Sequence, residues 1–175
     1  MSAWLADPGI RLLTLAEFVK RPSVSYLVQG VVPARSIVVM FGPPKTGKTF
    51  SGTDLAMHCA RGLDWHGCRV PKALRVTFLA GEGLSGLKLR LYAWQTSHDA
   101  AEMSGDVRLL PEALSLPDRV DGVLQALRPF KPDVIFIDTL NAFFGAGNEN
   151  DTADMTKFGN APSAICATNS TALSS

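Results

Sequence analysis

The segment from residue 42 to residue 49 has the residue types and the spacing that bind phosphate groups. It reads Gly42-Pro43-Pro44-Lys45-Thr46-Gly47-Lys48-Thr49 and matches the pattern G-x-x-x-x-G-K-[ST]. In this pattern the glycines let backbone amides converge on phosphate oxygens, and the helix that follows adds its positive N-terminal end. Lys48 would neutralise the β- and γ-phosphates, and Thr49 would place its hydroxyl on Mg²⁺, which prefers oxygen ligands. The segment therefore predicts a nucleotide site.

Two carboxylates follow apolar runs elsewhere in the chain. Asp138 ends the run Val134 to Ile137, a position at which an α/β sheet presents residues to a ligand. Alone it could be an ordinary turn residue, but together with the phosphate loop it predicts an aspartate that holds Mg²⁺. Glu82, in Ala80-Gly81-Glu82-Gly83, is a candidate general base for attacking water. From its spacing alone it is equally a solvated glutamate in a turn.

Strands and helices alternate around these residues. The continuous β-branched run Ile37 to Phe41 predicts a first core strand, and helical spacing follows Thr49 until Gly62. Further strands are expected at 75–80, 107–110 and 133–138, with helices around Leu84 to Trp94 and Val120 to Leu127. This order predicts an α/β fold with a mostly parallel sheet.

The ends of the chain give weaker signals. Thr14 to Glu17 has capping-box spacing and predicts a short lead-in helix, so residues 1–30 are interpreted as a lead-in segment and 31–175 as the core domain. A helix is expected from Thr152, but from Gly159 the pattern decays into a tail of small residues. The core is therefore expected to be incomplete at its C-terminus.

Composition excludes several classes of protein. The chain has 175 residues, a net charge of +1 and 46% hydrophobic residues, which fits a globular domain rather than a disordered or fibrous chain. No apolar run is long enough to span a membrane, and no secretory signal is recognised, so we expect a cytoplasmic protein. The three cysteines, Cys59, Cys68 and Cys166, are not closely paired, which argues against a disulfide framework and a zinc site.

Three blocks of sequence carry a resemblance to a known family. They are Pro44 to Phe50, Val76 to Gly83 with Gly86 and Arg90 to Trp94 after it, and Val134 to Ala142 followed by Gly147 to Asp151 and Asp154-Met155. In this order they resemble the RecA-like AAA family ATPases of phages and plasmids. These are similar to the plasmid RepA hexameric replicative helicases and, more distantly, to DnaB-like helicases.

The resemblance implies a three-layer RecA-like P-loop core that binds ATP and Mg²⁺. It implies phosphate binding by residues 42–50, Mg²⁺ binding by Thr49 and Asp138, and catalytic roles for Lys48 and Glu82, with Glu82 activating water. It also implies a homo-oligomer, a hexamer by analogy. The implied partner is single-stranded DNA, and no membrane is implied. The family's next core strand, which often ends in a histidine pair that senses the γ-phosphate, is not recognised in this sequence.

Alternatives remain open at this level. A RecA- or RadA-like recombination or repair ATPase would share the same blocks, and a truncated module could bind nucleotide without turnover. Phe143 and Phe144 could stack on single-stranded bases, although aromatic residues beside a strand end are more often part of the core. Trp65 and Trp94 are interpreted as packing residues, and the three histidines show no metal-ligand spacing.

Overall fold

A computed structural model describes residues 12–21, 24–100, 107–139, 141–144, 156 and 160. From α2 onward its elements follow the alternation expected from the sequence. The bounds in chain order are α1 Leu15–Val19, β1 Tyr26–Val28, β2 Val32–Pro33, α2 Lys48–Arg61, β3 Val76–Ala80, α3 Leu84–Ser97, β4 Val107–Leu110, α4 Leu116–Leu127, β5 Val134–Asp138 and a 3₁₀ turn Asn141–Phe143. The expected helix from Thr152 lies outside the described residues except at Thr156 and Asn160, which are helical.

The main sheet has three parallel strands in the order β4-β3-β5. Strand β3 is central and pairs in register with both neighbours, so that Ala80 lies opposite Asp138 at the end of β5. All five residues of β3 are buried, as expected for a central parallel strand covered on both faces. The register therefore brings the C-terminal ends of β3 and β5 together at one edge of the sheet.

Side chains of β3 and β5 alternate between two hydrophobic clusters, one on each face of the sheet. One cluster joins Val76, Phe78 and Phe136 to the buried face of α2, where Leu55, Ala56, Cys59 and Ala60 lie. The other joins Leu79, Ile135 and Ile137 to α4, through Leu116, Val123 and Leu127. This two-sided covering is the three-layer α/β fold expected of a RecA-like core.

Helix α2 begins and ends as its sequence predicts. Gly47 is its N-cap with φ 88°, and Gly62 is its C-cap with φ 65°, conformations that glycine adopts without the steric cost of a Cβ. A Cβ at Gly62 would also lie 2.7 Å from the backbone nitrogen of Ala73. Helix α1 has the predicted capping box, in which Thr14 and Glu17 bond each other's backbone amides.

The predicted first core strand is wrong in this structure. Ile37 to Phe41 belong to no strand, and their exposed fractions run from 47% at Met40 to 89% at Phe41. A continuous apolar run indicates that a segment can be buried, but a strand also needs a neighbouring strand whose backbone can pair with it. Among the described residues, the strand before α2 is instead the short β2, which pairs antiparallel with β1.

No helix among the described residues is long and apolar enough to cross a membrane. The longest helices, α2 and α3, have 14 residues each.

Candidate functional site

The phosphate loop forms a series of turns that leads into α2. Thr46 Oγ1 donates to the carbonyl of Pro43 at 2.8 Å, and Lys45 has a left-handed φ of 64°. Gly47 supplies no side-chain acceptor for the first turn of α2, which also contains no acidic residue. The amide groups and the positive end of the helix are therefore left to a ligand, and an anion suits them.

Lys48 turns its ammonium group back over this loop. Its Nζ donates to the carbonyls of Gly42 and Pro43, each at 2.8 Å. Both acceptors are uncharged, and no carboxylate in the described part of the chain pairs with the ammonium group, so the lysine brings a positive charge to the mouth of the loop. Phosphate oxygens would make stronger, charge-assisted hydrogen bonds to it than these carbonyls do.

Thr49 and Asp138 meet although 89 residues separate them in sequence. Thr49 Oγ1 donates to Asp138 Oδ1 at 3.3 Å. The contact joins the first turn of α2, which follows the phosphate loop, to the carboxylate at the end of β5. A hydroxyl and a carboxylate are both hard oxygen ligands, so this pair fits Mg²⁺.

Glu82 lies at the same sheet edge, in the turn between β3 and α3. Its Oε1 accepts a hydrogen bond from the hydroxyl of Thr139, the residue after Asp138. Gly83 caps α3 with φ 63°, so the tight turn expected around Glu82 is present. One hydrogen bond thus joins Thr49 to Asp138, and a second joins Glu82 to Thr139, the residue after Asp138.

Thr139 is the site residue that sequence reasoning missed. Its one sequence signal is its position directly after a candidate metal-binding aspartate, and a single threonine there has no spacing that indicates a role. The peptide bond between Asp138 and Thr139 is cis.

Several of the other residues singled out from the sequence are buried in the core, whereas Phe50 is exposed. Phe143 and Phe144 are 0% and 4% exposed and pack in the cluster with α4, so base stacking is not supported and their place in the core is confirmed. Phe50, in contrast, is 64% exposed on the first turn of α2. Burial raises the pKa of the Cys59 thiol to about 12, which keeps it protonated and agrees with a small apolar role. Trp94 is buried.

A family model described as an AAA domain matches residues 10–173. No curated protein matches the chain. The matched range includes the phosphate loop, Glu82 and Asp138, and the three-layer fold around them is that of a P-loop core. The chain therefore belongs to the AAA domain family of P-loop ATPases.

Proposed function

We propose that this chain binds Mg-ATP at the phosphate loop and hydrolyses it, as the motor core of a helicase-type ATPase that acts on DNA. The observation that carries the proposal is the Thr49–Asp138 hydrogen bond of 3.3 Å. It brings two oxygen-bearing side chains together at the N-terminal end of α2, directly after the phosphate loop. A nucleotide whose phosphates carry Mg²⁺ requires this combination.

Each residue has a distinct role in the proposal. Lys48 would exchange its two loop carbonyls for phosphate oxygens, and the amides at the start of α2 would hold the remaining phosphate charge. Thr49 and Asp138 would hold Mg²⁺, directly or through water, and the ion would neutralise charge that develops on the phosphates. Glu82 would orient the attacking water and accept its proton.

Replacing Lys48 by alanine tests the nucleotide site. Loss of charge-assisted hydrogen bonds worth about 1.5–3 kcal/mol should weaken binding by about 10- to 100-fold. The measurement is a fluorescence titration with a labelled ATP analogue in Mg²⁺. Lys88→Ala is the matched control, because it removes the same charge from an exposed position on α3 and should leave the affinity unchanged. Equal affinities for the parent and Lys48→Ala would contradict the site.

The DNA motor is the finer part of the proposal. Its support is the resemblance of three ordered blocks to phage and plasmid helicases, which also motivates a homo-oligomer and single-stranded DNA as partners. A strand-displacement assay with a forked duplex tests it, combined with electron microscopy of the protein on single-stranded DNA. ATP-dependent displacement by closed rings supports a helicase, whereas filaments without displacement would favour the recombinase alternative. Nucleotide binding without any phosphate release would favour a binding module.

A further inference from the structure

The hydroxyl of Thr139 lies between the candidate general base and the backbone that follows β5. Its Oγ1 donates to Glu82 Oε1, and it accepts a long hydrogen bond of 3.4 Å from the amide of Ala142. A single side chain thus connects the segment after β5 to the carboxylate after β3.

The position of Thr139 is fixed from both sides. On one side, β5 pairs with β3 through Asp138, and the amide of Gly81 donates to the Asp138 carbonyl at 3.2 Å. On the other side, Phe143 is fully buried in the cluster with α4. A Cβ on Gly81 would lie 2.6 Å from Ala142 Cβ, so the segment after β5 packs directly on the turn that carries Glu82.

Glu82 itself has much more freedom. Its side chain is exposed, and among the described residues Thr139 is the side chain recorded as bonding to it. Ordering a flexible glutamate side chain costs up to about 2 kcal/mol of rotamer entropy. A base that must meet a water within hydrogen-bonding distance therefore benefits from a fixed partner.

We infer that Thr139 is a positioning residue for Glu82. Its hydroxyl donates to one carboxylate oxygen and leaves the other to accept the water proton. This inference rests on the proposed ATPase function. In that reaction the water oxygen bonds to the γ-phosphorus as the bond from phosphorus to the bridging oxygen of ADP breaks. One proton of the water passes to Glu82 and is then released to solvent or phosphate.

Two variants separate the hydroxyl from the shape of the side chain. Thr139→Val keeps the branched shape without the donor, and Thr139→Ser keeps the donor. We expect Thr139→Val to lower kcat by about 10- to 100-fold, part of what a general base contributes, with the dissociation constant for Mg-ATP unchanged. Thr139→Ser should retain most of the parent kcat. In the Glu82→Gln background, Thr139→Val should have no further effect, because it acts through the missing carboxylate.

A second measurement does not depend on turnover. The ¹³C signal of the Glu82 carboxyl carbon, assigned by its loss in Glu82→Gln, should shift in Thr139→Val and not in Thr139→Ser. Thermal unfolding of both variants should match the parent, which shows that they are folded.

Three results would overturn the inference. They are a Glu82 signal that does not shift in Thr139→Val, a Thr139→Ser variant as impaired as Thr139→Val, and a further loss of rate when Thr139→Val is added to Glu82→Gln. Failure of the proposed function gives a different result: the parent would release no phosphate, while the Glu82 signal would still respond to Thr139→Val alone.

Discussion

Glu82 is the residue whose replacement should separate nucleotide binding from hydrolysis. Glu82→Gln preserves the side-chain shape and an oxygen that can accept from Thr139, but the amide cannot take a proton from water. We expect Mg-ATP affinity to stay at the parent value and phosphate release to fall by about 10²- to 10⁴-fold, the usual contribution of a general base. Analogue titration and a phosphate-release assay measure the two effects. Release at the parent rate would place the base elsewhere.

Asp138 should control the metal requirement of the same site. Asp138→Asn keeps the contact with Thr49 Oγ1 possible but removes the negative charge that attracts Mg²⁺. We expect the Mg²⁺ concentration for half-maximal binding of the ATP analogue to rise by about tenfold, which corresponds to about 1.4 kcal/mol. An Mg²⁺ titration at fixed analogue concentration measures this. An unchanged Mg²⁺ midpoint would exclude Asp138 as a metal ligand.

At the residue scale, the sequence was informative where chemistry requires fixed spacing. The phosphate loop has a fixed pattern in which the second of two spaced glycines is followed directly by a lysine and a hydroxyl residue, so Lys48 and Thr49 could be named as candidates without a structure. Thr139 could not be identified, because its contact with Glu82 depends on strand register, which places the ends of β3 and β5 side by side. Register is a property of paired strands rather than of either sequence alone.

At the element scale, helix ends were predictable from local chemistry. The Thr14 capping box and the Gly62 C-cap are both present, because they depend on residues within one turn. Ile37 to Phe41 were mispredicted, because strand formation depends on a distant partner that the run itself does not specify. The hairpin of β1 and β2 was not predicted from the sequence, since its two strands have only three and two residues.

Asp54 joins two elements that pack against each other on one face of the sheet. From α2 its carboxylate accepts from the indole nitrogens of Trp65 at 2.8 Å and Trp94, on α3, at 2.9 Å. His58 and His66 lie 3.3 Å from the same carboxylate. The tryptophans thus both pack and donate hydrogen bonds, and the acceptor that they share was not evident from the sequence.

We expect Asp54→Ala to destabilise the fold by about 2–4 kcal/mol, because an indole donor left without its acceptor costs about 1–3 kcal/mol and the two costs are not fully additive. Urea unfolding followed by circular dichroism measures the change, and tryptophan emission should shift as the indoles lose their partner. Asp121→Ala is the control, since Asp121 is exposed on α4. Equal losses in both variants would show that the shared acceptor contributes nothing.

Thr77, in β3, allows a test of the opposite kind, in which a substitution is expected to stabilise the fold. Its side chain is 2% exposed, and its Oγ1 has no hydrogen-bond partner in the part of the chain that the structure describes. Thr77→Val replaces that hydroxyl by a methyl group in the same space, so the variant should be more stable by about 1 kcal/mol. Urea unfolding measures the gain. A loss of stability would mean that water or another group satisfies the hydroxyl in solution.

At the scale of the whole molecule, the two ends of the parallel strands carry different groups. The C-terminal ends of β3 and β5 carry Glu82 and Asp138, while their N-terminal ends are held by Arg75 and Asp133. The Arg75 side chain donates to Asp133 through Nε at 3.1 Å and Nη2 at 3.2 Å, and its backbone amide donates at 2.8 Å. This contact, which the sequence did not reveal, joins the N-terminal ends of the two strands in the same register that places Ala80 opposite Asp138 at their C-terminal ends.

The Asp133–Arg75 contact should make the stability of the whole fold depend on pH. Burial alone would raise the pKa of Asp133, but the hydrogen bonds from Arg75 and the positive charges of Arg75 and Lys72 lower this pKa below its ordinary value of 3.8. The unfolded chain therefore binds a proton at a higher pH than the folded chain does. The stabilisation is fully present above the ordinary pKa and is lost as pH falls through the lower, folded pKa.

Asp133→Asn tests this dependence, because the amide keeps acceptor capacity for Arg75 but does not titrate. We expect the variant to lose about 1–3 kcal/mol at pH 7, the worth of hydrogen bonds to a charged group, and to lose less further stability than the parent below the ordinary pKa. The measurement is the free energy of unfolding in urea from pH 7 down into the acid transition. Asp121→Asn, at an exposed position, should follow the parent curve. If Asp133→Asn and the parent lose stability in parallel as the pH falls, the Asp133–Arg75 pair does not set the acid sensitivity of the fold.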